Sequence, residues 1–312
     1  MSIRKYFSEF GLNMFSEALF MMQQDQLKTF DGVENPVHIY FICTRPRISL
    51  DVNTLKFLEG TSEGEFLIQR EWGFDRVPFK VPSYLSKVAR FECPYPHTTL
   101  KLFNENNEII SSASVALLMS MFDMRHEALD LEVKYIGQSY GVEGARTAPN
   151  RLLSHSTLQE IYFDIISKTP DKEVWFILVQ FKQILITSFD GTQEKYGTTN
   201  EEDDEHMYTV INTPITKQQE INFTEAALIR YFQPEYNDKF KYNFPNPAHS
   251  TYAECYDLDL NSIYFEVHTE DLYSRLFTKT VGPEWIHFGK FTMHSSEERR
   301  DMMNWGTQND VK

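Results

Sequence analysis

Cysteine is scarce in this chain of 312 residues: Cys43, Cys93 and Cys255 are the whole complement. They are odd in number and far apart, and no Cys-x-x-Cys pair occurs. This excludes a disulfide framework or a zinc ribbon and fits a reducing, cytoplasmic setting. No apolar run approaches the ~18–20 residues of a membrane helix. The first residues mix Arg4, Lys5 and Glu9 with apolar ones, so neither a secretory signal nor a membrane partner is expected. Nucleotide-binding loops of the Gly-x-x-x-x-Gly-Lys-Ser/Thr and Gly-x-Gly-x-x-Gly types are missing, as are a Gly-x-Ser-x-Gly elbow and a His-Glu-x-x-His pair. Basic residues are in deficit: 30 Lys and Arg against 45 Asp and Glu leave a net charge of −15. A protein that grips phosphate backbones through bulk charge is normally basic. Any nucleic-acid site here must therefore be a small basic cleft on an acidic body.

Bulky apolar residues are plentiful. The hydrophobic fraction is 41%, with 25 Phe and 16 Tyr, enough for real cores over more than one domain. Asn13–Phe30 reads as a helix, because Phe15, Leu19 and Met22 recur at helical spacing. From Val37 to about Phe122 the pattern is of short strands, with Asn104–Asn107 as a hairpin turn. Leu131–Gly137 reads as a strand, Ala148–Ser167 as a helix, and Glu173–Ser188 as two strands meeting at Phe181-Lys182. Asp190–Gln219 is polar and acidic, the mark of a surface insertion. Phe223–Phe232 reads as a second helix capped by Thr224 and stopped by Pro234. Beyond it come a hairpin over Tyr252–Val267 turning at Asn261-Ser262, strand-like sequence over Tyr273–His294 and a short helix over Ser295–Asn304.

Three groups of residues carry chemistry. Tyr135-Ile136-Gly137 closes the Leu131 strand. Arg151 and His155 lie four apart on the following helix, hence on one face, with Arg146 nearby. That face continues into Leu158 and Tyr162, so two cation-capable groups border the stripe that packs on the sheet. Such placement calls for a partner, and a phosphate would be one. Glu225 follows Thr224, with Pro234 and Asn237 beyond. Read alone it is an acid in a first helical turn, favoured by the helix dipole; read with the others it is a carboxylate suited to a hard divalent cation.

In order and spacing, these groups resemble the GIY-YIG nuclease superfamily over roughly Leu131–Tyr242. The resemblance implies an α+β fold in which a small mixed sheet is flanked by helices. It divides the chain into a helical segment 1–34, a β-rich accessory domain 35–125, a nuclease-like domain 126–245 carrying the acidic insertion 190–219, and an α/β extension 246–312. It also implies a metal-dependent endonuclease. Tyr135, Arg151, His155 and Glu225 would be catalytic, Glu225 would hold Mg²⁺ or Mn²⁺, and Lys134, Arg146 and Asn237 would contact substrate. Either Tyr135 or His155 would be the base. The family's Gly-Ile-Tyr strand is absent from the residues just before Tyr135. His38-Ile39-Tyr40 has a similar form far upstream, either as that first strand with a domain inserted behind it or as a coincidence.

Two alternatives accompany this reading. Glu132 and Lys134 have the Glu-x-Lys form of PD-(D/E)xK nucleases, with Asp123 as the upstream acid. The acidic charge and the missing first tyrosine also suit a catalytically inactive interaction protein. For the nuclease, the expected partner is nucleic acid, DNA ahead of RNA, in a restriction or phage-defence role. A single cleft cuts one strand, so a homodimer is expected for double-strand cleavage.

Overall fold

The computed structural model describes residues 3–28, 30, 36–82, 88–122, 125–140, 148–152, 156–191 and 195–304. Ser8–Met22 is a long strand, β1, which overturns the helix expected over Asn13–Phe30 except for one turn at Gln24–Leu27 (α1). A bulge accounts for the misreading. Phe10, Leu12 and Met14 alternate into the core, the pairing register slips between Ser16 and Ala18, and Leu19 and Met21 then take up the same core. One extra residue turns a period of two into spacings that mimic a helix.

Next comes β2 (Ile39–Pro46), nearly all buried. The chain then leaves for a separate body made of β3 (Ile48–Leu50), β4 (Lys56–Leu58), β5 (Thr61–Arg70), β6 (Gly73–Pro82), β7 (Arg90–Glu92), β8 (Thr99–Phe103), β9 (Ile109–Ser114) and α2 (Val115–Met121). This body has its own core around Phe66, Ile68, Phe79, Leu100 and Met119. The expected turn at Asn104–Asn107 does join β8 to β9. The body starts at Ile48 rather than at residue 35, because β2 belongs to the main sheet.

The chain returns as β10 (Leu131–Gln138), followed by α3 (Ala148–Leu152), α4 (Ser156–Lys168) and β11 (Lys172–Phe189). β11 is one strand, not two. It pairs with β1 from Phe176 to Phe189 but with β2 only as far as Val179, so the polar run from Gln180 to Gln183 lies where β2 has ended. The acidic stretch after it contains α5 (Asn200–Asn212) rather than a bare loop. Thr199 and Glu202 form its capping box, and Asp203 turns inward to accept from the Ser8 amide and hydroxyl at 3.0 and 2.7 Å.

α6 (Lys217–Phe232) starts a full turn and more before the expected Phe223, with Thr216 as its cap. α7 (Glu254–Asp257), β12 (Ser262–His268), β13 (Leu276–Phe277) and β14 (Ile286–Thr292) complete the order. The hairpin expected over Tyr252–Val267 is instead α7 leading into β12, and Ser295–Asn304 forms turns rather than a helix.

Among the described residues, seven strands form one sheet in the order β13-β10-β2-β11-β1-β12-β14. The first and last parts of the chain therefore share a sheet with the centre, which departs from the expected helical segment 1–34 and separate extension 246–312. The mixed α and β content agrees with the expected class. One face of the sheet packs against α6 through Phe223, Ala226, Leu228 and Phe232. The other packs against α3 and α4 through Leu152, Leu158, Ile161 and Ile165. No described helix is long and apolar enough to cross a membrane.

An ionic knot ties β1 to the C-terminal turns. The Arg299 guanidinium donates to Glu9 Oε2 at 3.0 Å and to Asp259 Oδ1 at 2.8 Å, and Asn261 Nδ2 donates to Glu9 at 3.1 Å. Glu9 is fully buried and Arg299 nearly so. Removing one partner of such a pair strands the other charge in the core, at about 3–5 kcal/mol. Arg299→Ala should therefore lower unfolding stability by about that amount, read by urea denaturation; a loss below about 1 kcal/mol would show the knot to be energetically idle.

Candidate active site

The site is built where β2 and β10 run antiparallel. Tyr40 lies opposite Gly137, and Tyr135 opposite Ile42. The tripeptides His38-Ile39-Tyr40 and Tyr135-Ile136-Gly137 are thus neighbours in the sheet, with the whole separate body inserted between them. A bulge at Lys134 shifts the register so that Val133 and Ile136 face the α6 core, while Tyr135 joins Tyr40 on the α3 side. The two tyrosine rings lie 6.2 Å apart.

Gly137 makes room for them. A Cβ built there would lie 2.6 Å from Tyr135 Cε1 and 2.6 Å from the Tyr40 hydroxyl. Any other residue at this position pushes against both rings at once.

Arg151, on the short helix α3, exerts its positive field on Tyr40, Tyr135 and Glu225. Glu225 is not in a first helical turn as the sequence implied; it lies mid-helix in α6. Thr224 is no cap either, since its hydroxyl donates to the Glu220 carbonyl at 2.6 Å. The dipole explanation for Glu225 therefore lapses. Instead, Gln138 Nε2 bridges Glu225 Oε2 at 2.9 Å and Asn222 Oδ1 at 2.8 Å, tying β10 to α6.

The electrostatics follow from desolvation. Burial pushes the Glu225 carboxyl up to about 7, against the opposing pull of Gln138, Lys239 and Arg151. Burial raises Tyr40 and Tyr135 as well; the charge of Glu225 adds to this and Arg151 works against it. Both phenols are thereby held in the protonated form.

No protein-family model, curated protein or solved structure matches this chain. The site has to be judged on its own geometry.

That geometry joins Tyr135, Arg151 and Glu225, and adds Tyr40, Gln138 and Lys239. Tyr40 was visible as a tripeptide, but its pairing with β10 was hidden by the insertion. Lys239 carried no signal beyond standing two residues after Asn237. Asn237 itself is buried and completes the edge of β10: its Oδ1 accepts from the Ile136 amide at 2.9 Å and its Nδ2 donates to the Ile136 carbonyl at 2.8 Å. It is a positioning residue for the Tyr-Ile-Gly strand. Lys134 is turned elsewhere, paired with Glu132 at 2.7 Å and Glu235 at 3.0 Å beside Asp164 and Lys279. Glu132 also binds Lys172 at 3.0 Å, so the Glu-x-Lys pair is occupied with internal charges. Arg146, His155 and Asp123 lie outside the described residues.

Two outcomes test this arrangement. Gly137→Ala should cost about 1–3 kcal/mol by overpacking and perturb the near-ultraviolet tyrosine dichroism; an unchanged spectrum and stability would deny the contact. Burial holds the Glu225 carboxyl up to about 7, well above the ordinary glutamate value, so in the pH window between the two the folded state keeps a proton that is lost on unfolding. Ionised Glu225 thus destabilises the fold increasingly as pH rises through this window. Glu225→Gln should match wild type at low pH and exceed it in urea midpoint above neutrality.

Proposed function

We propose that the protein is a metal-dependent phosphodiesterase that cleaves nucleic acid, by the chemistry of the GIY-YIG nucleases it resembles. The observation that carries this reading is the convergence of Tyr40, Tyr135, Arg151 and Glu225 on one paired stretch of β2 and β10, around a glycine whose missing side chain makes room for both rings.

Hydrolysis of a phosphodiester requires charge relief at the phosphoryl oxygens, an activated water and a stabilised leaving oxygen. Arg151 supplies the first, since a guanidinium fork suits two phosphoryl oxygens. The protonated hydroxyls of Tyr40 and Tyr135 orient the attacking water and hold it in line. His155, the residue one turn beyond Arg151 in the resemblance, would be the base that takes the water's proton in this scheme. The amide of Gln138 fixes the Glu225 carboxylate in place.

Among the described residues, no cluster of three or more His, Cys, Asp or Glu could hold a metal on its own. A lone desolvated carboxylate fits Mg²⁺ or Mn²⁺ all the same, because such ions keep several waters and are bound by one or two carboxylates plus substrate phosphates. Glu225 would hold the ion, which supplies Lewis-acid stabilisation of the phosphate and leaving oxygen when bound. Lys239, on the exposed segment after Asn237, adds positive charge beside it.

The test is cleavage of plasmid, linear duplex, single-stranded DNA and RNA with Mg²⁺ or Mn²⁺. Arg151→Ala and Glu225→Ala should each lower the rate by on the order of 10²–10³, as removal of a single transition-state contact does elsewhere. Tyr40→Phe should lose activity while Lys134→Ala retains it; the reverse result would favour the Glu132–Lys134 alternative. A wild type as inert as these variants on every substrate would leave the interaction-protein reading ahead.

A further inference from the structure

Beyond the tyrosine pair, the same elements border a groove of about 620 Å³. His38 lies just before β2 and Ile39 on it, Tyr140 just past β10, the run Val179–Gln183 on β11, the ion-paired Lys217 and Glu220 with Thr224 on α6, and Glu17 on β1. It adjoins the site on three sides. His38 pairs with Ser139, two residues beyond the pairing of Tyr40 with Gly137, a step of about 6.7 Å along a strand. Thr224 immediately precedes Glu225. Tyr140 follows Gln138, the residue that anchors Glu225, by two positions.

We propose that this groove seats one unpaired nucleotide of the substrate, next to the phosphate held by Arg151, with its base on Tyr140 and its own phosphate at Lys182. This rests on the nuclease reading and adds a substrate class to it: strands that are single, frayed or locally opened. The volume is that of a small-ligand pocket and suits a nucleotide rather than a duplex.

The lining supplies what a nucleotide needs. The half-buried Tyr140 ring is fixed edge-on against His38 at 5.1 Å, and the His38 ring is itself anchored by Nδ1 on the Ser139 carbonyl at 2.6 Å. A rigid aromatic of this kind is a stacking platform for any base. Gln183 presents an amide, which can both donate to and accept from base edges, while Gln180 Nε2 donates to Glu17 Oε2 at 3.1 Å. Lys182 lies exposed on β11 among the lining residues. The groove opens where β11 outruns β2, which explains why polar residues interrupt an otherwise apolar strand.

Binding is measured by fluorescence anisotropy in the cleavage-disabled Glu225→Gln background, with a short fluorescein-labelled single strand and the blunt duplex of the same sequence. The single strand should bind more tightly than the duplex. Adding Tyr140→Ala should weaken single-strand binding roughly 5- to 150-fold, the loss of one stacked base, while Tyr140→Phe retains it. Lys182→Glu, on an exposed position, should weaken binding and shallow its salt dependence. Equal affinity for the two probes, or unchanged binding with both Tyr140→Ala and Lys182→Glu, overturns the groove proposal. If in that case Glu225→Ala still abolishes cleavage by the wild type, the nuclease reading stands without the groove; if the wild type neither binds nor cuts any probe, both fall.

Discussion

The site exists only because β2 is held on both sides. β10 lies along one edge of it and β11 along the other, both antiparallel, and this fixes Tyr40 opposite Gly137. A one-residue slip in a strand would turn every side chain to the opposite face. Register here is pinned by burial on both faces, since Tyr40, Phe41, Ile42 and Cys43 are all fully enclosed. The bulge at Lys134 then turns Tyr135 to the Tyr40 side, and Asn237 closes the open edge of β10 through the Ile136 amide and carbonyl. Arg151 and Glu225 approach this strand pair from opposite faces of the sheet, one on α3 and the other on α6.

The strand pair tolerates a whole body between its members for a simple reason. The entropy of closing a loop grows only with the logarithm of its length. What matters is that the exit and return are secured. Arg47 donates its backbone amide to the Asp171 carbonyl at 2.9 Å as the chain leaves, and Arg275 grips Asp130 through two bonds of 2.8 and 2.7 Å as it comes back. Insertion at this point leaves the β2–β10 register intact and adds a second core.

Tyr135, Arg151 and Glu225 were picked out by residue type and spacing, and the fold places them within reach of one another's charge. Strand pairing leaves no comparable trace, so the relation of His38-Ile39-Tyr40 to Tyr135-Ile136-Gly137 stayed open until the sheet order was known. Taking Thr224 as the cap put Glu225 at a helix start, whereas the helix begins after Thr216 and leaves Glu225 in mid-helix as a desolvated carboxylate. The bulged β1 read as helix because its phase shift imitates 3.6 residues per turn. In β11, Gln180 and Lys182 read as a break because nothing local reveals that a neighbouring strand ends at their level. The net charge of −15 was equally legible, and Arg151, Lys182 and Lys239 are local positive charges on that acidic body.

The order of the sheet also governs how the chain can assemble as it is made. β1 is made well before its partners β11 and β12, which follow far later along the chain. Until they arrive, Phe10, Leu12, Met14 and the rest of β1 have no sheet to join. The inserted body, with its local hairpins and private core, has all its core partners in hand by Leu129 and can settle first. Contacts so distant along the chain make for slow closure and leave an apolar edge exposed to association in the meantime. The paired tyrosines of β2 and β10 share that delay, for β2 gains its second neighbour only when β11 has been synthesised.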